Sequence, residues 1–300
     1  MSDPRHVNGS AAALTLFDLP EPAVAPAPGQ GASPEVASGA GAEPGESTGL
    51  ADALSPSQVR NFIDCGARWY YRSLLFLPDP PNSNLALGTA THEALAENFR
   101  QKIDTHQDLP TEGVVALFRD SWQRELKQAC LREEEDPGEI GKTGEGLVRQ
   151  FMEETAPTIQ PAAVEQPLHG VIAGVRVNAR LDLRDIAGAV VEIKTGAKTP
   201  TSIDPMHRFQ IATYRRLDPK ASGAAKIFTL VKNKKPVIEP QSFDVGSADI
   251  AATDTLYPLV QAAIRSGYYV PNRCSMMCSR RNCGFWRRCE ADYGGVVEES

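Results

Sequence analysis

No stretch of this 300-residue chain approaches the ~18 consecutive apolar residues of a membrane-spanning helix. The N-terminus lacks the basic start and apolar core of an export signal. A G-x-x-x-x-G-K-[ST] phosphate loop is also missing, because Gly141-Lys142-Thr143-Gly144 lacks the upstream glycine spacing that a nucleotide-driven motor needs. No internal repeat is visible. These absences predict a cytoplasmic protein without membrane contact and without a motor of its own. In a reducing compartment its six cysteines are not expected to form structural disulfides.

Basic residues are scarce at the start. Residues 1–50 hold six acids against the single Arg5, so they carry −5 of the net −7 and leave the rest near neutral at −2. They are rich in Pro, Gly, Ala and Ser and show no hydrophobic period, so residues 1–53 read as a disordered acidic tail. A near-neutral body can still bind nucleic acid where its basic residues cluster.

Beyond the tail, Ser55-Pro56 reads as an N-cap and first helical residue, opening a helix to about Ser73. Further helices are predicted over about 86–103, 111–134 and 143–155. Cys130 would sit in the second of these as a buried small hydrophobe. From Ala163 to Thr195 the texture turns β-rich, with Ala173-Gly174 and Ala187-Gly188 as turns. A helix over 204–217, strands over 225–232 and 237–245, a helix over 247–266 and an irregular Arg- and Cys-rich ending follow. The pattern predicts an α/β fold: a mixed central sheet flanked by helices, with a helical N-terminal part.

Two of these strands carry the chemistry. Asp182 lies between Leu181 and Leu183, and Glu192-Ile193-Lys194 follows Val190-Val191. Residues two apart in a strand share a face, so Glu192 and Lys194 point together, and Asp182 joins them if the strands pair. Two carboxylates beside a lysine can hold a divalent cation and position water on a phosphodiester. Taken alone, the fragment reads also as a solvated face with cross-strand ion pairs. Arg180 and Asp185 read as edge and turn charges.

Four pieces occur in one order: Gly88-Thr89-Ala90-Thr91-His92 on an early helix, Asp182, Glu192-Ile193-Lys194, and Gln210-Ile211-Ala212-Thr213-Tyr214 on the next helix. That order resembles the PD-(D/E)XK nuclease superfamily with its restriction-endonuclease-like core, and within it the RecB-like exonuclease domains, over about residues 54–293. The resemblance implies that His92, Asp182, Glu192 and the main-chain carbonyl of Ile193 ligate Mg²⁺ or Mn²⁺. It implies that Lys194 orients the attacking water or stabilises transition-state charge, and that Gln210 and Tyr214, four apart on one helix face, border the active site and contact DNA. Taken singly, His92 reads as a core histidine. Glu165 matches an acid some relatives carry, and reads equally as a solvated strand-end residue.

Cysteine supplies a second constellation: Cys65 early, then Cys278-x4-Cys283-x5-Cys289. One early and three late cysteines resemble the iron–sulfur staple of some RecB-like nucleases, which implies a 4Fe-4S cluster bound by the segment 265–293. The four-residue gap after Cys278 is longer than the commonest spacing, Cys274 is a fifth candidate, and zinc is the alternative metal. Arg265, Arg273, Arg280, Arg281, Arg287 and Arg288, interleaved with Tyr268, Tyr269, Phe285 and Trp286, read either as a single-strand groove or as packing around the cluster. Lys232, Lys234 and Lys235 form a second basic loop.

The resemblance implies a metal-dependent DNA exonuclease acting on ends or single strands in recombination, repair or phage DNA processing. It would work alone or with a separate helicase or recombinase. The rival reading is a non-catalytic DNA-binding module of the same fold with an iron–sulfur or zinc site.

Overall fold

The computed structural model describes residues 53–233 and 235–299; the tail expectation therefore falls, but for Ala53, outside the described residues, as does Lys234. The chain runs through β1 (Ala53–Leu54), α1 (Pro56–Asp64), α2 (Gly66–Ser73), α3 (Ser83–Thr105), α4 (Thr111–Leu126) and α5 (Pro137–Gln150), which continues into a π turn and a 3-10 turn up to Thr158. Then come β2 (Pro161–Ile172), β3 (Val175–Asp185), β4 (Val190–Gly196), α6 (Pro205–Leu217), β5 (Ala224–Val231), β6 (Val237–Asp244), α7 (Ser247–Arg265) and α8 (Trp286–Tyr293). The expected α/β class, a mixed sheet flanked by helices, is what the chain adopts.

Helix starts follow local chemistry. Ser55 Oγ accepts the Gln58 N–H at 3.2 Å while Gln58 Oε1 accepts the Ser55 N–H at 3.0 Å, a reciprocal cap that satisfies two orphan donors of α1. Asp136 and Asp204 cap α5 and α6, each with proline at the first helical turn.

The sheet order is β1-β3-β4-β5-β6, with β2 also on β3. β3 is antiparallel to β2 and β4, β4 is parallel to β5, and β5 is antiparallel to β6. Val191 and Ile193 of β4 pack with α3, α4 and α5, whereas Val190 packs with α6 on the opposite side. The alternation leaves Glu192 and Lys194 on the α6 side.

Three expectations are corrected. The first predicted helix is two, broken at Cys65, whose φ −160° and ψ 105° are extended. The break is filled by the C-terminal segment: a Cβ on Gly66 would meet Val270 N at 3.0 Å, and Ala67 N donates to Val270 O at 3.3 Å. Second, α4 ends at Leu126, so Cys130 is exposed rather than buried in a helix. The last N–H groups turn back on nearer carbonyls, Lys127 N to Arg124 O and Gln128 N to Glu125 O, which tightens the end. Cys130 then bridges to Asn82. Third, the irregular ending contains α8.

Candidate active site and a cysteine-lined cavity

β3 and β4 pair through Leu183↔Val191 and Arg184↔Val190. Continuing that register sets Asp182 opposite Glu192, where the ladder ends. Instead of a ladder bond, Ile193 N donates to Asp182 Oδ2 at 3.2 Å. β4 is held on its other side by β5, with Glu192 opposite Ile227 and Lys194 opposite Thr229. The acids therefore stand where two paired strands part, on backbone fixed from both sides.

Glu192 is 1 % exposed. Its Oε1 receives Lys194 Nζ at 2.5 Å and Gln210 Nε2 at 2.7 Å, while its Oε2 is buried without a partner. Gln210 Oε1 lies 3.4 Å from Lys194 Nζ, and Gln210 Nε2 reaches Tyr214 Oη at 2.5 Å. Gln210 and Tyr214 thus share one face of α6 and lock Glu192 and Lys194 in place. Ile193 itself is buried and faces α3.

His92 reaches this group from α3, with Nδ1 3.5 Å from Asp182 Oδ2. Gly88 lets the helix come close, since a Cβ there would meet Thr195 Oγ1 at 3.3 Å. Glu165 belongs to the same cluster. Ligand atoms of His92, Glu165 and Asp182 lie mutually within 4.8 Å, the one group of three such residues among the described ones. Glu165 sits opposite Asp182 by the β2–β3 register and has φ +48°, a left-handed conformation costly for a non-glycine residue and common at functional sites. The strand sequence gives no sign of that turn of the backbone. Arg180 bridges to Glu165 at 3.4 Å. Asp185 is a turn residue as expected, accepting from Ala187 and Ala189 N–H groups.

Charge is crowded here. Burial and then the neighbouring Glu192 push the Asp182 carboxyl up to about 7, against the pull of His92 and Lys194. Burial opposes the charge on Lys194, but Glu192 and Asp182 outweigh it and hold the ammonium above its ordinary range. Burial, reinforced by both carboxylates, keeps Tyr214 protonated far above its usual range. His207, not singled out in the sequence, lies one turn before Gln210; burial and then the Lys194 charge push it down to about 4, leaving a neutral imidazole. A cleft with about 2360 Å³ of empty space, running along α3 and α4, and a pocket of about 820 Å³ beside α6 share His92, Arg180, Asp182 and Lys194 as a common wall.

The second constellation also comes together. Cys65, Cys278, Cys283 and Cys289 line one small cavity, whereas Cys274 is exposed and does not line it. Asn272 N donates to Cys65 Sγ at 3.4 Å, and Asn272 Nδ2 and Ser275 Oγ tie the late segment to Asp64 at the end of α1. Burial pushes the Cys289 thiol up to about 11 and raises that of Cys283. No three of the sulfurs lie within 4.8 Å of one another.

Of the two readings of the Arg-aromatic ending, packing accounts for most of it. Phe285 is buried against Tyr71, and Tyr269 stacks on Tyr70 with centroids 4.4 Å apart. Arg281 pairs with Glu134, Arg288 with Asp292, and Arg280 with Glu290 and Glu299. Arg280 and Arg287 stack over Trp286. The acids that the run itself lacks come from just beyond it and from Glu134. Tyr268 stays half exposed.

The profile of the PD-(D/E)XK nuclease superfamily matches residues 53–290. No curated protein matches the chain. Among solved structures, the fold is similar to a "putative exonuclease" from Eubacterium rectale, with a TM-score of 0.52 and 13% identity over 87% of this chain and 96% of that one. The crystal structure of SSO0001 shows a TM-score of 0.41 at 12% identity, over 80% of this chain and 87% of its own. With a family match across most of its length, the chain belongs to the PD-(D/E)XK nuclease superfamily.

Proposed function

We propose that this chain is a divalent-cation-dependent DNA exonuclease of the RecB-like type, acting on DNA ends or single strands. The observation that carries the reading is the Glu192 carboxylate. It is buried, anchored through Oε1 by Lys194 and Gln210 and left with an open Oε2, beside Asp182 where β3 and β4 part. An orphaned buried acceptor costs about 1–3 kcal/mol, and a cation among Asp182, Glu192 and His92 would offset that cost. Oxygen donors with one imidazole suit Mg²⁺ or Mn²⁺.

His92 Nδ1, Asp182 Oδ2, Glu192 Oε2 and the Ile193 carbonyl would hold the ion, with Glu165 as a further donor. When bound, the ion supplies Lewis acidity toward phosphate and a water of lowered pKa. Lys194, kept charged by its two carboxylates, donates toward the oxygens on which negative charge grows. Gln210 and Tyr214 fix the Glu192 and Lys194 rotamers. Neutral His207 adds no charge to the wall. Arg60, Arg100, Arg124 and Arg180 line the cleft and can meet the phosphates of a strand laid along it.

The cysteine cavity would hold a 4Fe-4S cluster. Four sulfurs around one cavity, one early and three late in the chain, support that choice. The cluster would fasten the C-terminal segment to the break at Cys65. The assembly would work in DNA recombination, repair or phage DNA processing, alone or beside a separate helicase or recombinase.

The test is degradation of end-labelled single- and double-stranded DNA with Mg²⁺, Mn²⁺ or chelator. Cleavage that needs the cation and proceeds from ends supports the reading. DNA binding without cation-dependent degradation would establish the non-catalytic module instead.

A further inference from the structure

The cysteine cavity contains two cations, each with one buried donor that has no partner. Arg68 lies on α2, one turn after Cys65, and Arg273 immediately precedes Cys274; both line the cavity. Arg68 Nε and Arg273 Nη1 are buried without a hydrogen-bond acceptor. Their other nitrogens are placed by the fold: Arg68 Nη2 lies 3.9 Å from Asp79 Oδ2, and Arg273 Nη2 donates to Gly294 O at 2.7 Å. Each guanidinium is thus held at one end and open at the other.

An unsatisfied buried N–H costs more when it belongs to a charged group, and two in one small cavity beside four sulfurs indicate an anion there. Four thiolates around a metal core form such an anion, and its burial is costly unless charge and hydrogen bonds meet it. Building on the cluster reading above, we infer that Arg68 and Arg273 form a paired guanidinium clamp on the cluster, donating to its sulfurs from two sides and setting its reduction potential. Neither arginine touches the Asp182–Glu192–Lys194 wall, so both act through the cluster as positioning residues.

Hydrogen bonds and positive charge at the sulfurs favour the reduced, more negative cluster. Replacing either arginine with glutamine should therefore lower the potential. The test is a potentiometric titration of the full chain purified without oxygen, followed by visible and electron paramagnetic resonance spectra. R68Q and R273Q should each remain brown and favour the oxidised form at least about tenfold more than wild type, with about 59 mV per tenfold for one electron. R68K and R273K, which keep the charge, should recover part of the shift. R265Q, outside the cavity, should match wild type, and D79N, which keeps both guanidinium groups, should not lower the potential.

Should a glutamine variant fail to load, wild type labelled with ¹⁵N in its arginine side chains decides. Electron–nuclear double resonance on the reduced cluster should show guanidinium nitrogen coupling, and its absence overturns the clamp. A colourless wild type without iron would overturn the cluster reading itself, and it is seen before any variant is made. A brown wild type with unmoved R68Q and R273Q potentials overturns the clamp alone.

Discussion

The two sites are assembled in opposite ways. The carboxylate site takes Asp182, Glu192 and Lys194 from neighbouring strands, and the helix that follows supplies Gln210 and Tyr214; the β3–β4 and β4–β5 registers fix their relative positions before any ligand arrives. The cysteine cavity takes Cys65 from a break between two helices and its other sulfurs from residues 278–289. Few hydrogen bonds hold the sulfurs, and burial holds Cys283 and Cys289 in the thiol form. Ladder hydrogen bonds on either side position the first site, whereas the second, on the cluster reading proposed above, would be completed by a ligand that deprotonates its thiols. Removing a side chain from the first should cost activity and spare the fold. Removing one from the second should cost the fold.

The largest effect is expected at the first site. D182N and E192Q should abolish DNA cleavage, and K194A should slow it by about 10²–10³, the usual cost of losing a preorganised donor to transition-state charge. D182N should keep or raise the melting temperature, because it removes a carboxylate whose charge is costly where it stands. A cooperative loss of structure in D182N would erase the contrast between the sites.

The converse is expected of C65A. It should bleach the protein and lower stability by on the order of 2–4 kcal/mol, comparable to opening another tie across a very long loop. For a chain of this size that is about 5–15 °C in melting temperature. C130A and C274A, at exposed positions, should do neither, and a bleached C274A would move a ligand from the cavity to the surface. Smaller changes should follow at the face of α6. Q210A and Y214F act through Glu192 and Lys194, and removing such supporting bonds typically costs about 10–100-fold in activity or metal affinity.

The same sequence positions explain what could be read in advance. Strand period two places Glu192 with Lys194, and helical spacing places Gln210 with Tyr214; both rules are local, and the fold obeys them. Glu165 depends on a positive φ that nothing in its neighbours dictates. The break at Cys65 depends on the 269–270 backbone lying against Gly66, a contact across the whole chain. In the Arg-aromatic ending, Arg281 looked free because its partner Glu134 is distant in sequence, while Asp292, Glu290 and Glu299 pair with Arg288 and Arg280 from just beyond the run. Contacts distant in sequence decide the break at Cys65 and the Arg281 pair, and periodicity carries no information about them.

A subtler effect separates the sites by pH. Asp182 titrates near 7 when folded and near 3.8 in its ordinary state. Between those values the folded chain keeps a proton that the unfolded chain has lost, so this group's contribution to stability declines as pH rises from about 4 to 7. Above 7 the buried charge is only partly offset by Lys194, His92 and the Ile193 N–H until a cation arrives. Mg²⁺ should therefore raise the melting temperature more at pH 8 than at pH 6, and its affinity should weaken up to about tenfold per unit below pH 7. An equal Mg²⁺ shift at both pH values would remove Asp182 from the ligand set.

The most direct test of the account is a Mn²⁺ titration, followed by electron paramagnetic resonance, of wild type, E192Q and K194A, with DNA cleavage measured on the same samples. Wild type should bind Mn²⁺ and cut; K194A should bind it with near wild-type affinity and cut poorly; E192Q should lose both. Mn²⁺ binding that survives in E192Q, or cleavage that survives in both variants, would contradict the assignment of this wall as the active site.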